Sequence, residues 1–238
     1  MCPGECTPTG NGASPLTPEI LNLWAPVARL LTLAPLTPLA LETSTVLSIV
    51  EGRTFMDYVV KCALPAGTTM TVNYLGATHT FKGHIGIAAE WATGALTQSS
   101  RRWLSACIMA HVNPTGKQVT LLLRGDHPAL NVPSGASTGE FALREGGFYG
   151  DIFALTPAKH ACVGAGTTQD RMCTKDVAGL SPCGFTVPGY CRGSSVAACE
   201  GLNDGAYETC HSEPLAGSDE ESIAYPETIT VYLKPMKP

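Results

Sequence analysis

Ten cysteines in a chain of 238 residues constrain its fold more than any other feature of the sequence. Six of them lie between Cys162 and Cys210, and no two cysteines have the C-x2-C spacing of common zinc sites. An even number of cysteines without metal spacing predicts disulfides and an oxidising compartment. Cys62 and Cys107 lie apart from the others and are candidates to pair with each other.

Composition narrows the class of protein further. Hydrophobic residues make up 44% of the chain and charged residues 15%, which excludes the signature of an intrinsically disordered protein. The 25 glycines and 18 prolines indicate many turns and argue against a helical bundle. Because the net charge is −5 and no basic run exceeds the pair Arg101-Arg102, nucleic acid is not an expected partner.

Local patterns predict both helices and strands. Apolar residues recur at helical spacing before a Pro-Ala-Gly stop at 65–67 and again in 101–112, while alternation around Gly76 predicts a hairpin. Further strands are expected at 117–124, at 140–144 and 148–155 around the turn Glu145-Gly146-Gly147, and at 229–233 as an edge or closing strand.

These patterns predict an α+β fold with a mixed or antiparallel sheet, two or three helices and a disulfide-rich C-terminal elaboration. Residues 1–18 form a flexible Pro/Gly-rich arm in this prediction. Residues 19–156 form the α+β core, and residues 157–238 form a cysteine-rich subdomain with a closing C-terminal strand. Cys2 and Cys6 in the arm could pair locally or remain free.

Four segments, in this order along the chain, resemble the motifs of a protein family: 61–65 (KCALP), 85–91 (IGIAAEW), 101–113 (RRWLSACIMAHVN) and 145–153 (EGGFYGDIF). With the cysteine-rich end, the chain resembles a group of uncharacterised secreted or lipid-anchored proteins of myxobacteria-like bacteria over roughly residues 50 to 210. The resemblance implies an extracytoplasmic location. It also implies a bond between Cys62 and Cys107, since both lie in recurring motifs, and it transfers no catalytic residue.

Three carboxylates are the strongest candidates for catalysis: Glu90, Glu145 and Asp151, each near aromatic or glycine residues. A carboxyl beside an aromatic face loses hydration, which raises its pKa and suits it to donate a proton, while a second carboxylate acts as nucleophile or base. Trp91 and Tyr149 would then stack on a sugar or similar substrate. The structural alternative is that Glu145 begins a turn, Glu90 caps or bridges its loop, and Asp151 pairs with Arg101 or Arg102.

Arg101 and His84 complete the predicted substrate contacts. The histidines form neither H-E-x-x-H nor His-x-His, so no metal site and no cofactor are predicted. A serine or cysteine hydrolase is a further alternative, with Ser137 in a G-x-S-x-G match or Cys107 as nucleophile and His84 or His111 as base.

The sequence therefore favours a secreted, disulfide-stabilised hydrolase that acts on a small molecule or a polysaccharide, with glycosidic bonds as the candidate target. The alternative is a non-catalytic cell-surface binding or adhesion module. The leucine-rich stretch from Leu21 to Leu41 is interrupted by Arg29 and three prolines, so no membrane span is expected. Cys2 could carry a lipid anchor, and the expected location is extracellular, periplasmic or cell-surface.

Overall fold

A computed structural model describes residues 5–6, 15–130, 139–166, 171–174, 180–193, 197–213 and 222–235. The helices are α1 (Pro18–Ala28), α2 (Pro38–Glu42), α3 (Val50–Ala63) and α4 (Gln98–Ala110). The strands are β1 (Glu5–Cys6), β2 (Thr69–Tyr74), β3 (Ala77–Lys82), β4 (Leu121–Arg124), β5 (Leu143–Asp151), β6 (Ala158–Val163), β7 (Leu202–Asn203), β8 (Ala206–Tyr207), β9 (Cys210–His211), β10 (Ala224–Tyr225) and β11 (Ile229–Leu233).

The main sheet has five antiparallel strands in the order β1-β4-β11-β5-β6. Three two-stranded antiparallel pairs, β2-β3, β7-β8 and β9-β10, lie beside it in the described part of the chain. Helix α4 packs against β5 and helix α3 packs against α4. The predicted α+β class is confirmed, with α2 as a short fourth helix.

Threonine caps start three of the helices. Thr17 and Thr37 precede prolines at the first helical position of α1 and α2, and each side-chain oxygen accepts a hydrogen bond from a backbone N–H of the first turn. Thr97 does the same for α4, where Ser100 N donates to its Oγ1 at 3.1 Å. These caps satisfy N–H groups that a helix start leaves unpaired.

The hairpin predicted around Gly76 is present as β2 and β3. Leu75 and Gly76 form its two-residue turn with φ values of 48° and 83°. A turn with two positive φ angles matches the twist of the strands on either side, and glycine takes such an angle without steric cost.

Strand β5 corrects the prediction of two short strands separated by a turn at Glu145-Gly146-Gly147. Residues Leu143–Asp151 form one strand, and the two glycines lie inside it, opposite β6. A Cβ added at Gly146 would overlap the carbonyl oxygen of Cys162 and would lie 2.7 Å from Thr174 Cγ2. The glycines therefore allow a close approach of the neighbouring chain, which the sequence pattern does not distinguish from a turn.

The strand predicted at 229–233 as an edge or closing strand is present as β11, which lies inside the main sheet between β4 and β5 with all five of its residues buried. Strand β6 belongs to the same sheet. The main sheet thus includes strands from both sides of the boundary predicted between residues 156 and 157.

Glu5 and Cys6 lie in the predicted N-terminal arm and pair with Leu122 and Leu121 of β4. This short strand forms one edge of the main sheet. Cys2 lies outside the described residues. In the part of the chain that is described, no helix combines the length and the apolar character needed to cross a membrane.

Four disulfides connect cysteines of the described segments. One joins Cys62 on α3 to Cys107 on α4. The other three join pairs in the C-terminal third: Cys162–Cys191, Cys173–Cys183 and Cys199–Cys210. All eight of these cysteines are buried, so the crosslinks lie within the packed interior.

Candidate functional site

Glu145 lies in the interior of the protein, where its Oε2 accepts a hydrogen bond of 2.6 Å from Arg171 Nε. The exposed fractions of the two side chains are 0% and 1%. Burial raises the pKa of Glu145, and the Arg171 guanidinium opposes that rise. This placement corrects the expectation of a carboxyl beside a substrate, because a ligand cannot reach Glu145 without displacing the surrounding core.

The two aromatic rings predicted to stack on a substrate are also buried. The indole of Trp91 has no exposed surface, and its Nε1 donates hydrogen bonds to the carbonyl oxygens of Leu31 and Ala34. Tyr149 is likewise fully buried, and its hydroxyl donates to the carbonyl oxygen of His211 at 2.9 Å. Both rings contribute to packing, and neither presents a face to solvent, so their expected role as a stacking surface is corrected.

Asp151 forms an ion pair with Arg101, with 3.1 Å between Oδ2 and Nη2. Its other oxygen, Oδ1, accepts a hydrogen bond from Phe153 N. The structure therefore places Asp151 as the structural alternative described it, as one half of an ion pair that connects strand β5 to helix α4.

Next to this ion pair lies an aromatic cluster that the sequence did not indicate. His160 stacks on Tyr149 with 5.5 Å between ring centroids, and Tyr225 lies 5.6 Å from each of these two rings. The guanidinium of Arg102 covers Tyr225 at 4.7 Å and lies 3.7 Å from Glu227 Oε2. Burial lowers the pKa of His160 to about 4, so its imidazole is neutral at pH 7.

Glu90 and His84 lie on other segments of the chain. Glu90 is exposed in a 3₁₀ turn, where it accepts a hydrogen bond from the Ser100 hydroxyl, and no contact joins it to Glu145 or Asp151 within the described residues. His84 follows the β2-β3 hairpin, and its backbone N–H donates to the carbonyl oxygen of Leu64 at 2.7 Å. Burial, followed by the charge of Lys61, lowers the pKa of His84. The predicted site residues thus do not converge on one cleft.

The candidate cysteine nucleophile, Cys107, finds no support. Cys107 is bonded to Cys62 and has no exposed surface, so it offers no thiolate in the disulfide-bonded protein. This corrects the catalytic-cysteine alternative. Ser137 lies outside the described residues.

A polar cleft of about 230 Å³ lies where the end of β4 meets the β7-β8 hairpin. Five of the side chains that line it carry charged or amide groups: Arg124, Asp126, Asn203, Asp204 and Glu208. All of these except Arg124 are exposed. Three carboxylates and one guanidinium give the cleft a net negative formal charge.

Backbone contacts fix the hairpin that forms one wall of this cleft. Asp204 and Gly205 make its turn with φ values of 44° and 81°, as two-residue hairpins with a right-handed twist require. Arg124 Nη1 donates to the carbonyl oxygen of Asp204 at 3.0 Å, and the Tyr232 hydroxyl donates to that of Gly205 at 2.6 Å. These two hydrogen bonds therefore connect the hairpin to the main sheet and fix its position.

No protein-family model, curated protein or solved structure matches this chain. The resemblance to cysteine-rich secreted proteins remains a prediction from the motifs.

Sequence reasoning missed the residues that line this cleft. The dipeptide Asp204-Gly205, between Leu202-Asn203 and Ala206-Tyr207, is a recognisable hairpin signal, and it could have indicated the turn. Nothing local to Arg124 or Asp126 signals that the chain 80 residues later returns to them. The cleft depends on a long-range contact that local patterns do not encode.

Proposed function

We propose that this protein is a non-catalytic binding module of the cell exterior and that its polar cleft takes a hydroxyl-rich ligand, such as a sugar residue of a polysaccharide. The cleft beside the β7-β8 hairpin is the observation that carries the proposal. Its volume of about 230 Å³ is small compared with sites for drug-sized ligands. It suits one small polar unit.

The lining of the cleft matches the chemistry of sugar hydroxyls. Each hydroxyl both donates and accepts a hydrogen bond. The carboxylates of Asp126, Asp204 and Glu208 accept, the guanidinium of Arg124 donates, and the amide of Asn203 does both. A nucleotide or another polyanion would face three carboxylates and is disfavoured.

The state of the predicted catalytic groups supports binding over hydrolysis. Glycoside hydrolysis needs two carboxyl groups that flank one bond. Glu145 is buried against Arg171, and Asp151 is paired with Arg101. In this conformation neither carboxyl can approach a glycosidic oxygen.

The disulfides support a location outside the cytoplasm. Such bonds persist in oxidising compartments and are rare in the cytosol. Four of them in one small protein suit a secreted, periplasmic or surface-attached module, as the motif resemblance also implies. They would also protect the fold against proteases that act on transiently opened chains.

The test is calorimetric titration of the oxidised protein with a panel of neutral mono- and oligosaccharides. We expect saturable binding of at least one glycan and a loss of at least tenfold in affinity for Asn203→Ala and Asp126→Asn. Glu51→Gln on helix α3 is the matched control, since it removes a charge away from the cleft and should leave affinity unchanged.

Two results would count against the proposal. The first is folded protein that binds no member of the panel. The second is release of reducing sugar during the titration, which would favour the predicted hydrolase and would require an explanation for the buried Glu145.

A further inference from the structure

Helix α1 carries apolar side chains on two opposite faces. One face is buried against the core and contains Leu21, Trp24, Ala25 and Ala28. The other face is exposed, and it continues into the 3₁₀ turn Arg29–Leu33 that directly follows the helix. Its large apolar side chains are Leu23, Val27, Leu30 and Leu33. A helix that is apolar all round is normally covered on every side, so this second face calls for a partner.

These four exposed side chains, named here the apolar stripe, lie along one line. Leu23, Val27 and Leu30 have the spacing i, i+4 and i+7 of one side of a helix, and Leu33 follows three residues later, which keeps it in line in a 3₁₀ turn. The exposed fractions of Leu23, Leu30 and Leu33 are 58%, 66% and 63%. Single exposed apolar residues are ordinary, whereas a continuous apolar surface marks an interaction site.

The two ends of the stripe carry opposite charges. Glu19 and Arg29 are the only charged residues between positions 18 and 41. Glu19 is exposed four residues before Leu23, on the same side of the helix. Arg29 flanks the other end, about 15 Å further along the helix axis. Neither side chain forms an ion pair within the described residues, so both charges are available to a partner.

We propose that the apolar stripe binds the stripe of a second copy of this chain in antiparallel orientation. A two-fold axis between Leu23 and Val27 lays each of these residues against the other one in the partner subunit and buries both stripes. Glu19 of each copy then lies within reach of Arg29 of the partner subunit, so two ion pairs close the ends of the interface. A parallel arrangement would place like charges together.

The segment fits a lipid surface less well. Helices that lie in a membrane interface carry several Lys or Arg side chains beside their apolar face, whereas this segment has Arg29 alone. The net charge of −5 also opposes contact with an anionic bilayer. Residues 7–14 (TPTGNGAS), which precede the helix in the sequence, contain no large apolar side chain that could bury the stripe.

Sedimentation equilibrium of the oxidised full chain measures the association. We expect a dimer whose population rises with protein concentration. Leu30→Glu places a charge inside the stripe and should weaken dimerisation at least tenfold, because the charge must be buried without a counterion. Leu155→Glu is the matched control, since Leu155 is 85% exposed in the loop between β5 and β6 and lies outside the stripe. It should leave the dimer unchanged.

Charge reversal tests the antiparallel orientation separately. Glu19→Lys and Arg29→Glu each convert both ion pairs of the dimer into like-charge contacts, so each variant alone should dimerise about tenfold more weakly than the wild type. An equal mixture of the two variants forms a heterodimer in which both pairs again have opposite charges. Association in the mixture should therefore return to the wild-type level, and circular dichroism checks that each variant is folded.

Several results would refute this dimer. One is wild-type protein that stays monomeric at near-millimolar concentration. A second is a dimer that Leu155→Glu weakens as much as Leu30→Glu, because the stripe would then have no specific role. A mixture of the two charge variants that associates no better than either alone would exclude the antiparallel pairing. Binding of monomeric wild type to phosphatidylglycerol vesicles, lost in Leu30→Glu, would assign the stripe to a lipid surface instead.

Discussion

Arg171 and Glu145 meet inside the protein as an ion pair with 2.6 Å between Nε and Oε2, and neither side chain is more than 1% exposed. The pair joins the first half of strand β5 to the segment that contains Cys173, and Arg171 also donates to the carbonyl oxygen of Val112 next to helix α4. Three parts of the chain that are distant in sequence thus meet at one guanidinium.

Replacing one residue of this ion pair should strongly destabilise the folded protein. We expect Glu145→Gln to lower the free energy of unfolding by about 3–5 kcal/mol, because it leaves the Arg171 charge buried without its counterion. The double variant Glu145→Gln with Arg171→Met removes both charges and should recover part of that loss. Urea unfolding of the three proteins tests this, and a double variant no more stable than Glu145→Gln would contradict it.

Because of Asp57, the free energy of unfolding should fall as pH rises. Burial raises the pKa of Asp57 to about 6, and the charge of Lys61 opposes the rise, whereas an unfolded aspartate titrates near about 3.9. Between about pH 4 and pH 6 the folded protein therefore binds more protons at this position than the unfolded chain, so the contribution of Asp57 is present below pH 4 and is lost above pH 6. Asp57→Asn should exceed the wild type in stability at pH 7 and match it near pH 4, as thermal unfolding at both pH values would show. Glu51→Gln on the same helix is the control.

Because of His160, by contrast, the free energy of unfolding should fall as pH is lowered. Its pKa in the folded protein is lowered to about 4 by burial, and an unfolded histidine titrates near about 6.5. Its contribution is therefore present above about pH 6.5 and is lost as pH falls towards 4. His160→Phe keeps a ring against Tyr149 but cannot be protonated, so it should lose less stability than the wild type between pH 6.5 and pH 4. Equal losses would show that folding does not lower the pKa of His160.

Gly146 should not tolerate a side chain. A Cβ there would overlap the carbonyl oxygen of Cys162 on the paired strand, so we expect Gly146→Ala to cost about 3 kcal/mol or more. Gly94→Ala is the control, because no atom lies within 4 Å of the position its Cβ would take. Chemical denaturation distinguishes the two, and a similar small effect of both would disprove the close approach of β5 and β6.

The two types of disulfide loop should differ in their effect on stability. Cys62 and Cys107 are 45 residues apart, and Cys173 and Cys183 are 10 apart. Loop-closure entropy predicts losses of about 4 and about 2.7 kcal/mol respectively when each pair is replaced by alanines. Unfolding of the two double variants measures the difference, and a reversed order would show that packing around the sulfur atoms dominates.

Features set by short segments were predictable from the sequence. The helix predicted in 101–112 is present as α4, which begins three residues earlier at Gln98, and the β2-β3 hairpin turns at Gly76. Both depend on residues within four positions of each other. The α+β class follows from such elements, because they can bury their apolar faces only by packing together.

The candidate site was not predictable, because its contacts join residues that are far apart in the sequence. The guanidinium of Arg171 reaches a carboxylate 26 residues away, and Arg124 reaches a carbonyl 80 residues away. A carboxyl beside glycine and aromatic residues has the same local sequence whether it faces a substrate or a buried arginine. The local context of Glu145 predicts a catalytic carboxyl, whereas its contact with Arg171 makes it one half of a buried ion pair.

Two of the crosslinks touch each other, and this contact determines how the protein must be handled. Cys162 Sγ of one disulfide lies 3.5 Å from Cys199 Sγ of another. A thiolate freed at either position would lie beside the neighbouring bond and could exchange with it. Peptides prepared at alkaline pH would then contain shuffled partners, so bond mapping by mass spectrometry should use digestion in acid, where thiols stay protonated.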